Sequence, residues 1–182
     1  QGAAAARLAS RLGAQRVAVI HQNLGDEYVR GLTTSFLAAA RSLQLDVEEF
    51  AWEERETYAA LASPVAATRP GAVYLSGLTQ VNAKRLIEDL RASLPQDVEL
   101  IGPDSFAAED IARELGAAGG GMYVTVRGMP VGALPPAGER LVRALGLAAS
   151  DPDATYVAGA AQAEVVLLDA IARSDGTRAS IV

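Results

Sequence analysis

The chain has 182 residues, half of them hydrophobic, with a formal net charge of -6, no cysteine and one histidine. This length suits one domain with a normal hydrophobic core. The lack of cysteine excludes disulfides, thiolate catalysis and cysteine-ligated metals, and a single histidine excludes a histidine-rich metal site. The negative net charge and the lack of a cluster of basic residues argue against a nucleic-acid partner.

Helix-like and strand-like segments alternate over residues 1–127. Runs of β-branched residues predict strands, whereas apolar residues three and four apart predict helices. Such alternation favours a parallel sheet with helices on both faces. The predicted elements are a helix over Ala3–Leu12, a strand over Arg16–His21, a helix over Glu27–Leu43, a strand over Asp46–Trp52, a helix over Tyr58–Thr68, a strand over Ala72–Ser76, a helix over Val81–Leu94, a strand over Val98–Ile101, a helix over Ala107–Leu115 and a strand over Met122–Val126.

The pattern changes after residue 127. The segment Gly128–Gly138 holds three prolines and three glycines without periodicity, which is typical of a crossing loop. Two helices are predicted near Gly138–Leu145 and Thr155–Arg173, with no strand between them. Helices in that order cannot extend a doubly wound sheet. We therefore divide the chain into an α/β unit over 1–127 and a crossing loop with helices over 128–182.

Polar residues follow two of the predicted strands. Tyr28 comes after the strand Arg16–His21, and Asp104 and Ser105 come after the strand Val98–Ile101. Ligands of open α/β sheets bind at the carboxyl ends of the strands, so all three are candidate ligand contacts. Two other interpretations stay open: Tyr28 starts a helix at the surface, and Asp104 or Ser105 caps the helix that follows.

The turn Gly77, Leu78 and Thr79 joins a predicted strand to a predicted helix. Its backbone N–H groups can bind an anion at a helix N-terminus. The alternative is an ordinary tight turn in which Thr79 caps the helix Val81–Leu94.

Motifs for nucleotide and acyl chemistry are absent. No strand–helix turn carries G-x-G-x-x-G, a phosphate-binding loop with its lysine, or G-x-S-x-G. The acidic cluster of Glu48, Glu49, Glu53, Glu54 and Glu56 matches no calcium loop and is interpreted as a solvated edge. We expect binding without chemistry, with no cofactor and no metal. An enzyme of flavodoxin-like or Rossmann-like fold is the less favoured alternative, since fold alone does not decide it.

An ordered set of segments resembles the second lobe of type I periplasmic solute-binding proteins, in the branch that includes the leucine/isoleucine/valine-binding proteins of ABC transporters. The likeness covers nearly the whole chain. The segments are Arg16–Ile20, Tyr28 with Gly31 and Leu32, Arg69–Gly77, Gly102–Asp104, Gly121–Thr125, Ala163–Ile171 and Ala172–Ser180.

The resemblance implies two α/β lobes with the ligand in the cleft between them and closure by hinge motion. We expect this chain to be one lobe, a doubly wound parallel sheet of flavodoxin-like order 2-1-3-4-5, with most of the first lobe before Gln1. The implied partners are a small-molecule ligand, the first lobe and an ABC permease or membrane receptor. The implied location is periplasmic or extracellular, secreted or membrane-anchored. A ligand-sensing domain of a signalling or transcription-regulatory protein is the alternative.

The start of the chain has no basic, apolar leader, so we expect no signal peptide within it. No apolar run approaches the about 18 residues of a membrane span.

The resemblance also assigns roles to single residues. Tyr28 would pack on the ligand, Asp104 would face its ammonium group, and Ser105 lies beside Asp104. Leu78 and Ala161 stand where amino-acid binders often have aromatics, which widens the pocket and weakens stacking on a cation. The family implies an amino acid or a related small polar or amphipathic molecule, but the two missing aromatics fit a larger or less cationic ligand equally well. Gly77 and Thr79 would add hydrogen bonds.

The helices over 128–182 would partly belong to the first lobe in this family. They would then expose apolar residues that favour self-association when that lobe is absent. Those residues are Leu141, Leu145, Val165, Val166 and Leu168.

Overall fold

The computed structural model describes residues 1–23, 25–79, 82–149 and 151–181, and it separates into two units, Gln1–Val126 and Arg127–Val182. A parallel sheet in the order β2-β1-β3-β4-β5 forms the centre of the first unit, as predicted. Its strands are β1 (Arg16–His21), β2 (Asp46–Ala51), β3 (Ala72–Ser76), β4 (Glu99–Gly102) and β5 (Tyr123–Val124).

Helices cover both faces of this sheet. They are α1 (Gly2–Arg11), α2 (Glu27–Ser42), α3 (Ala59–Ala67), α4 (Ala83–Ser93) and α5 (Glu109–Leu115), with 3-10 turns at Asp104–Phe106 and Gly116–Gly119.

Alternate strand residues bury two separate apolar layers, because successive side chains of a strand point to opposite faces. One layer packs the sheet against α1 and α2 through Val17, Val19, Ala72, Tyr74, Ile101, Ala5, Ala6, Ala9, Phe36 and Ala40. The other packs it against α3 and α4 through Ala18, Ile20, Val73, Leu75, Leu100, Ala62, Val65, Leu86, Ile87 and Leu90. All strands run in one direction, so the turns after them meet at one edge, the carboxyl edge.

The start of α2 is fixed by Asp26. Its carboxylate accepts a hydrogen bond of 3.1 Å from the Val29 N–H group and so caps the helix. This cap holds the first turn, which carries Tyr28, over the carboxyl end of β1.

Two predicted caps are wrong. The N-cap of α4 is Asn82, held at a φ of 47°, so Thr79 does not cap that helix. Gln80 and Val81 lie outside the described residues. The N-cap of α5 is Ala108, because the 3-10 turn Asp104–Phe106 uses the residues before it. Asp104 and Ser105 are therefore not caps of α5.

Strand β5 is shorter than predicted. It pairs only with β4, through Ile101 with Tyr123 and Gly102 with Val124. Beyond Gly102 the chain of β4 turns into a 3-10 helix, so the ladder has no partner along which to continue.

The second unit holds a 3-10 turn at Val131–Ala133 and the helices α6 (Pro136–Ala144), α7 (Pro152–Arg173) and α8 (Arg178–Ile181). Its core is small, with Val131, Val142 and Ala154 buried. Asp151 caps α7 by accepting a bond of 2.9 Å from the Asp153 N–H group.

Helix α7 leaves much apolar surface uncovered. Val165, Val166, Leu167, Leu168 and Ile171 are between 45% and 65% exposed, and Leu145 is 56% exposed. This confirms the expected exposure except at Leu141, which is half-buried. The segment Asp153–Arg173 is also long and apolar enough to cross a membrane. That corrects the expectation that no segment has this length and composition.

Candidate functional site

Tyr28 and Asp104 meet at the carboxyl edge of the sheet. The Tyr28 hydroxyl donates a hydrogen bond to Oδ1 of Asp104. Tyr28 lies on the first turn of α2, whereas Asp104 follows β4, so this bond spans 76 positions of sequence. Asp104 is 8% exposed and Tyr28 is half-buried. Two residues predicted separately as ligand contacts therefore form one unit, with an aromatic ring held in place by a carboxylate.

Ser105 connects two turns of the same edge. Its hydroxyl donates a bond of 2.9 Å to the Gly77 carbonyl oxygen. The turn after β4 is thereby tied to the turn after β3. The Ser105 oxygen keeps acceptor capacity for a ligand N–H or O–H group, while its own proton is used within the protein.

Gln22 clamps the turn after β3. Its side-chain amide donates to the Leu78 carbonyl oxygen at 2.7 Å and accepts from the Leu78 N–H group at 2.8 Å. A Cβ atom at Gly77 would lie 2.5 Å from Cδ of Gln22, so glycine allows the amide to lie over the backbone. Because the Leu78 N–H group is taken, it does not serve as an anion donor in this arrangement. Sequence patterns gave no signal for this clamp.

Replacement of Gln22 by alanine should lower the free energy of unfolding by about 1–3 kcal/mol, since two hydrogen bonds of about 0.5–1.5 kcal/mol each are lost. Both backbone groups of Leu78 lose their partner. Urea unfolding followed by circular dichroism measures the change. Gln15→Ala, at an exposed position, is the matched control and should change stability by less than about 0.5 kcal/mol. An equal, small effect for both variants would contradict the structural role of the clamp.

A cleft of about 800 Å³ lies at the carboxyl ends of β1 and β2. Carboxylates of Asp26, Glu53 and Glu54 line it, so its field favours cationic over anionic groups. Its other lining residues are His21, Gln22, Asn23, Val29, Ala51, Trp52 and Leu78. Leu78 was predicted as a ligand contact, but the remaining residues were not, since the acidic cluster was interpreted only as a solvated edge.

Asp89 holds the loop that forms one wall of this cleft. Its carboxylate accepts bonds from the Tyr58 N–H group at 2.6 Å and the Thr57 hydroxyl at 3.1 Å. Arg85 adds contacts of 3.1 Å from Nε and 2.8 Å from Nη2. Burial raises the pKa of Asp89, but the bonds from Tyr58, Arg85 and Thr57 outweigh it and lower the pKa below its usual value.

The remaining predicted contacts are placed as follows. Thr79 is half-buried, and its carbonyl oxygen accepts a bond of 3.4 Å from the Ala83 N–H group. Ala161 is half-buried in α7 of the second unit. Among the residues that the structure describes, no three His, Asp or Glu side chains are grouped to hold a metal ion.

No protein-family model matches the chain, and no curated protein matches it significantly. Solved structures do match. The leucine-binding protein LivK from Thermotoga maritima is 25% identical, with a TM-score of 0.78, over 100% of this chain and 52% of its own length. A type 1 periplasmic binding protein from Bordetella pertussis is 16% identical, with a TM-score of 0.71, over 99% of this chain and 52% of its own.

A third match is a solute-binding protein of an ABC transporter from Rhodopseudomonas palustris in complex with p-hydroxybenzoic acid. It is 18% identical, with a TM-score of 0.66, over 97% of this chain and 49% of its own length. The chain thus spans about half the length of the structures it matches. Its fold is that of type I periplasmic binding proteins, which confirms the resemblance, and these neighbours are solute-binding proteins rather than enzymes.

Proposed function

We propose that this chain is one ligand-binding lobe of an extracytoplasmic solute-binding protein that serves an ABC-type uptake system. The observation that carries the proposal is the Tyr28–Asp104 hydrogen bond at the carboxyl edge of a type I periplasmic binding fold. Ligands of such sheets bind at this edge. The site would bind its ligand without transforming it.

In this proposal Asp104 accepts hydrogen bonds from a ligand amine, and the ring of Tyr28 forms an apolar wall. Ser105 and the turn of Gly77, Leu78 and Thr79 would add hydrogen bonds on the side of the cleft that this chain forms. Carboxylates in the neighbouring cleft favour a ligand that carries an amine over one that carries only an acid. The proposed ligand class is therefore amino acids and related small amphipathic amines.

The cleft would be completed by another lobe of the same protein, since the chain spans about half of the structures it matches. Apolar residues of α7 that are exposed here would be covered by that lobe. We assign residues 1–127 to one lobe and residues 128–182, with Ala161, to the crossing segment and to helices shared with the other lobe. A permease or membrane receptor would be the further partner, in the periplasm or outside the cell.

A thermal-shift screen of the two-lobed protein tests this proposal. The panel contains amino acids, small amides, aromatic acids and short peptides. A ligand at 100 times its Kd should stabilise the protein by about 2.7 kcal/mol, which raises Tm by several degrees. We expect shifts from amine-bearing compounds. A well-folded protein that responds to none of the panel, or to the aromatic acids alone, would contradict the proposed ligand class.

A further inference from the structure

The hydroxyl of Tyr74 is buried without a partner. Tyr74 lies in β3, is 0% exposed, and stacks on Phe36 with 4.5 Å between ring centroids. Among the described residues its hydroxyl oxygen reaches no hydrogen-bond partner. Phenylalanine would fill the same space without burying an unpaired polar group, which is a costly arrangement. An unpaired hydroxyl at this position therefore points to a partner in another state of the protein.

Ser76 is a possible acceptor two residues further along β3, on the same face of the strand as Tyr74. Burial raises the pKa of Tyr74, so its hydroxyl stays protonated and is a donor at neutral pH. The Ser76 hydroxyl offsets part of this rise, and the charge of Asp104 adds to it. Ser76 thus lies near the Tyr74 hydroxyl, although the two groups do not reach hydrogen-bonding geometry.

Ser76 has a free lone pair for this donor. Its Oγ lies 2.8 Å from Oγ1 of Thr33, and Thr33 also lies 2.9 Å from the Val29 carbonyl oxygen. If Thr33 gives its single proton to Val29, Ser76 donates to Thr33 and both lone pairs of Ser76 stay open. If Thr33 donates to Ser76 instead, one lone pair of Ser76 still stays open.

The hydroxyls of Tyr74, Ser76 and Thr33 lie in a row that ends beside the candidate ligand site. Val29 follows Tyr28 on the first turn of α2, and Ser76 precedes Gly77, whose carbonyl binds Ser105. A ligand that touches the turn after β3 therefore acts on the residue next to Ser76. A shift of Ser76 toward Tyr74 would close the remaining gap.

We propose that Tyr74 is a positioning residue of the ligand site, whose hydroxyl donates to Ser76 when a ligand occupies the carboxyl edge. The closed row Tyr74–Ser76–Thr33 then ties the buried strand to the turn of α2 that carries Tyr28. This inference rests on the proposed function, because it needs a ligand at that edge.

Tyr74→Phe in the intact two-lobed protein tests it, with L-leucine as the probe. We expect the Tm without ligand to stay the same or to rise, because the variant removes an unpaired hydroxyl. Affinity for L-leucine, measured by titration calorimetry, should fall about fivefold, the factor for one neutral hydrogen bond. Tyr123→Phe, on an exposed ring of the edge strand, should change neither quantity.

A double-mutant cycle with Ser76→Ala identifies the acceptor. Once Ser76 is alanine, Tyr74→Phe should cost no further affinity for L-leucine. If no amine-bearing compound of the thermal-shift panel, L-leucine included, binds the wild-type protein, the proposed ligand class fails, and the inference fails with it. If wild-type binds and Tyr74→Phe binds equally well, only the inference is overturned. A clear loss of ligand-free stability in Tyr74→Phe would also overturn it, since the hydroxyl would already be bonded.

Discussion

Replacement of Asp89 by alanine should lower the free energy of unfolding by about 1.5–3 kcal/mol at pH 7, the range for hydrogen bonds to a charged group, since Asp89 is buried while Arg85 is 45% exposed. Asp89 is 8% exposed and binds Arg85 through two nitrogens, in addition to Tyr58 and Thr57. The alanine variant leaves a buried N–H group and a guanidinium without their acceptor. The loop that lines the cleft loses its anchor as well.

The effect of Asp89 should depend on pH. Its pKa is lowered in the folded protein, so the unfolded chain binds more protons as the solution becomes acidic. Its contribution is complete above the ordinary aspartate pKa of about 3.9 and is lost as the pH falls through the lower, folded pKa. The stability difference between wild type and Asp89→Ala should therefore shrink when urea unfolding is measured at about pH 3 instead of pH 7.

Asp46→Ala is the matched control. Asp46 also pairs with an arginine, Arg16, at 2.7 Å, but both side chains are exposed, at 65% and 47%. Water screens such a pair, so its removal should cost less than about 1 kcal/mol. Equal losses in the two variants would show that burial of Asp89 adds nothing to its ion pair.

Regular elements were predictable because their signals are local. The short apolar runs Val17–Ile20 and Ala72–Leu75 are typical of buried strands wherever they fall in a chain. Spacing of apolar residues in α2 predicted its start at Glu27, and the Asp26 cap agrees with it. Strand order followed from the alternation of elements together with the family likeness.

Contacts between turns were not predictable from local patterns. Gln22 reaches Leu78 across 56 positions, and Asp89 reaches Tyr58 across 31. Neither a glutamine after a strand nor an aspartate inside a helix has a local sequence feature that identifies a partner so distant in the chain. Thr79 was assigned as a cap on residue preference alone, whereas the chain turns through Asn82 with a left-handed backbone before α4 begins.

For the pair Tyr28–Asp104, the location was predictable from the sequence but the hydrogen bond was not. Both residues follow predicted parallel strands, whose carboxyl ends meet at one edge of the sheet, so the sequence predicted that both lie at that edge. The bond between them depends on the length of the tyrosine side chain and on the 3-10 turn that follows Pro103, neither of which a sequence pattern specifies.

Replacement of Asp104 by alanine should weaken the binding of amine ligands by about 1.5–3 kcal/mol, the range for hydrogen bonds to a charged group. An affinity for L-leucine would then fall by roughly 10- to 150-fold. Titration calorimetry on the two-lobed protein measures the change. Asp104→Asn is the matched variant, since it keeps the volume and an acceptor for the Tyr28 hydroxyl but removes the charge.

The direction of the change across ligand types identifies the role of Asp104. If its charge faces an ammonium group, Asp104→Asn should weaken L-leucine binding strongly, while Tyr28→Phe, which removes the donor to Asp104 but keeps the charge, should have a smaller effect. A ligand with a carboxylate and no amine, such as 4-hydroxybenzoate, should gain affinity in Asp104→Asn, because a repulsive charge is removed. Unchanged L-leucine binding in both Asp104 variants would leave Asp104 with a structural role, such as holding the Tyr28 ring, and the ligand ammonium would need another counter-charge. Asp26, Glu53 and Glu54 in the neighbouring cleft would then be the residues to replace next.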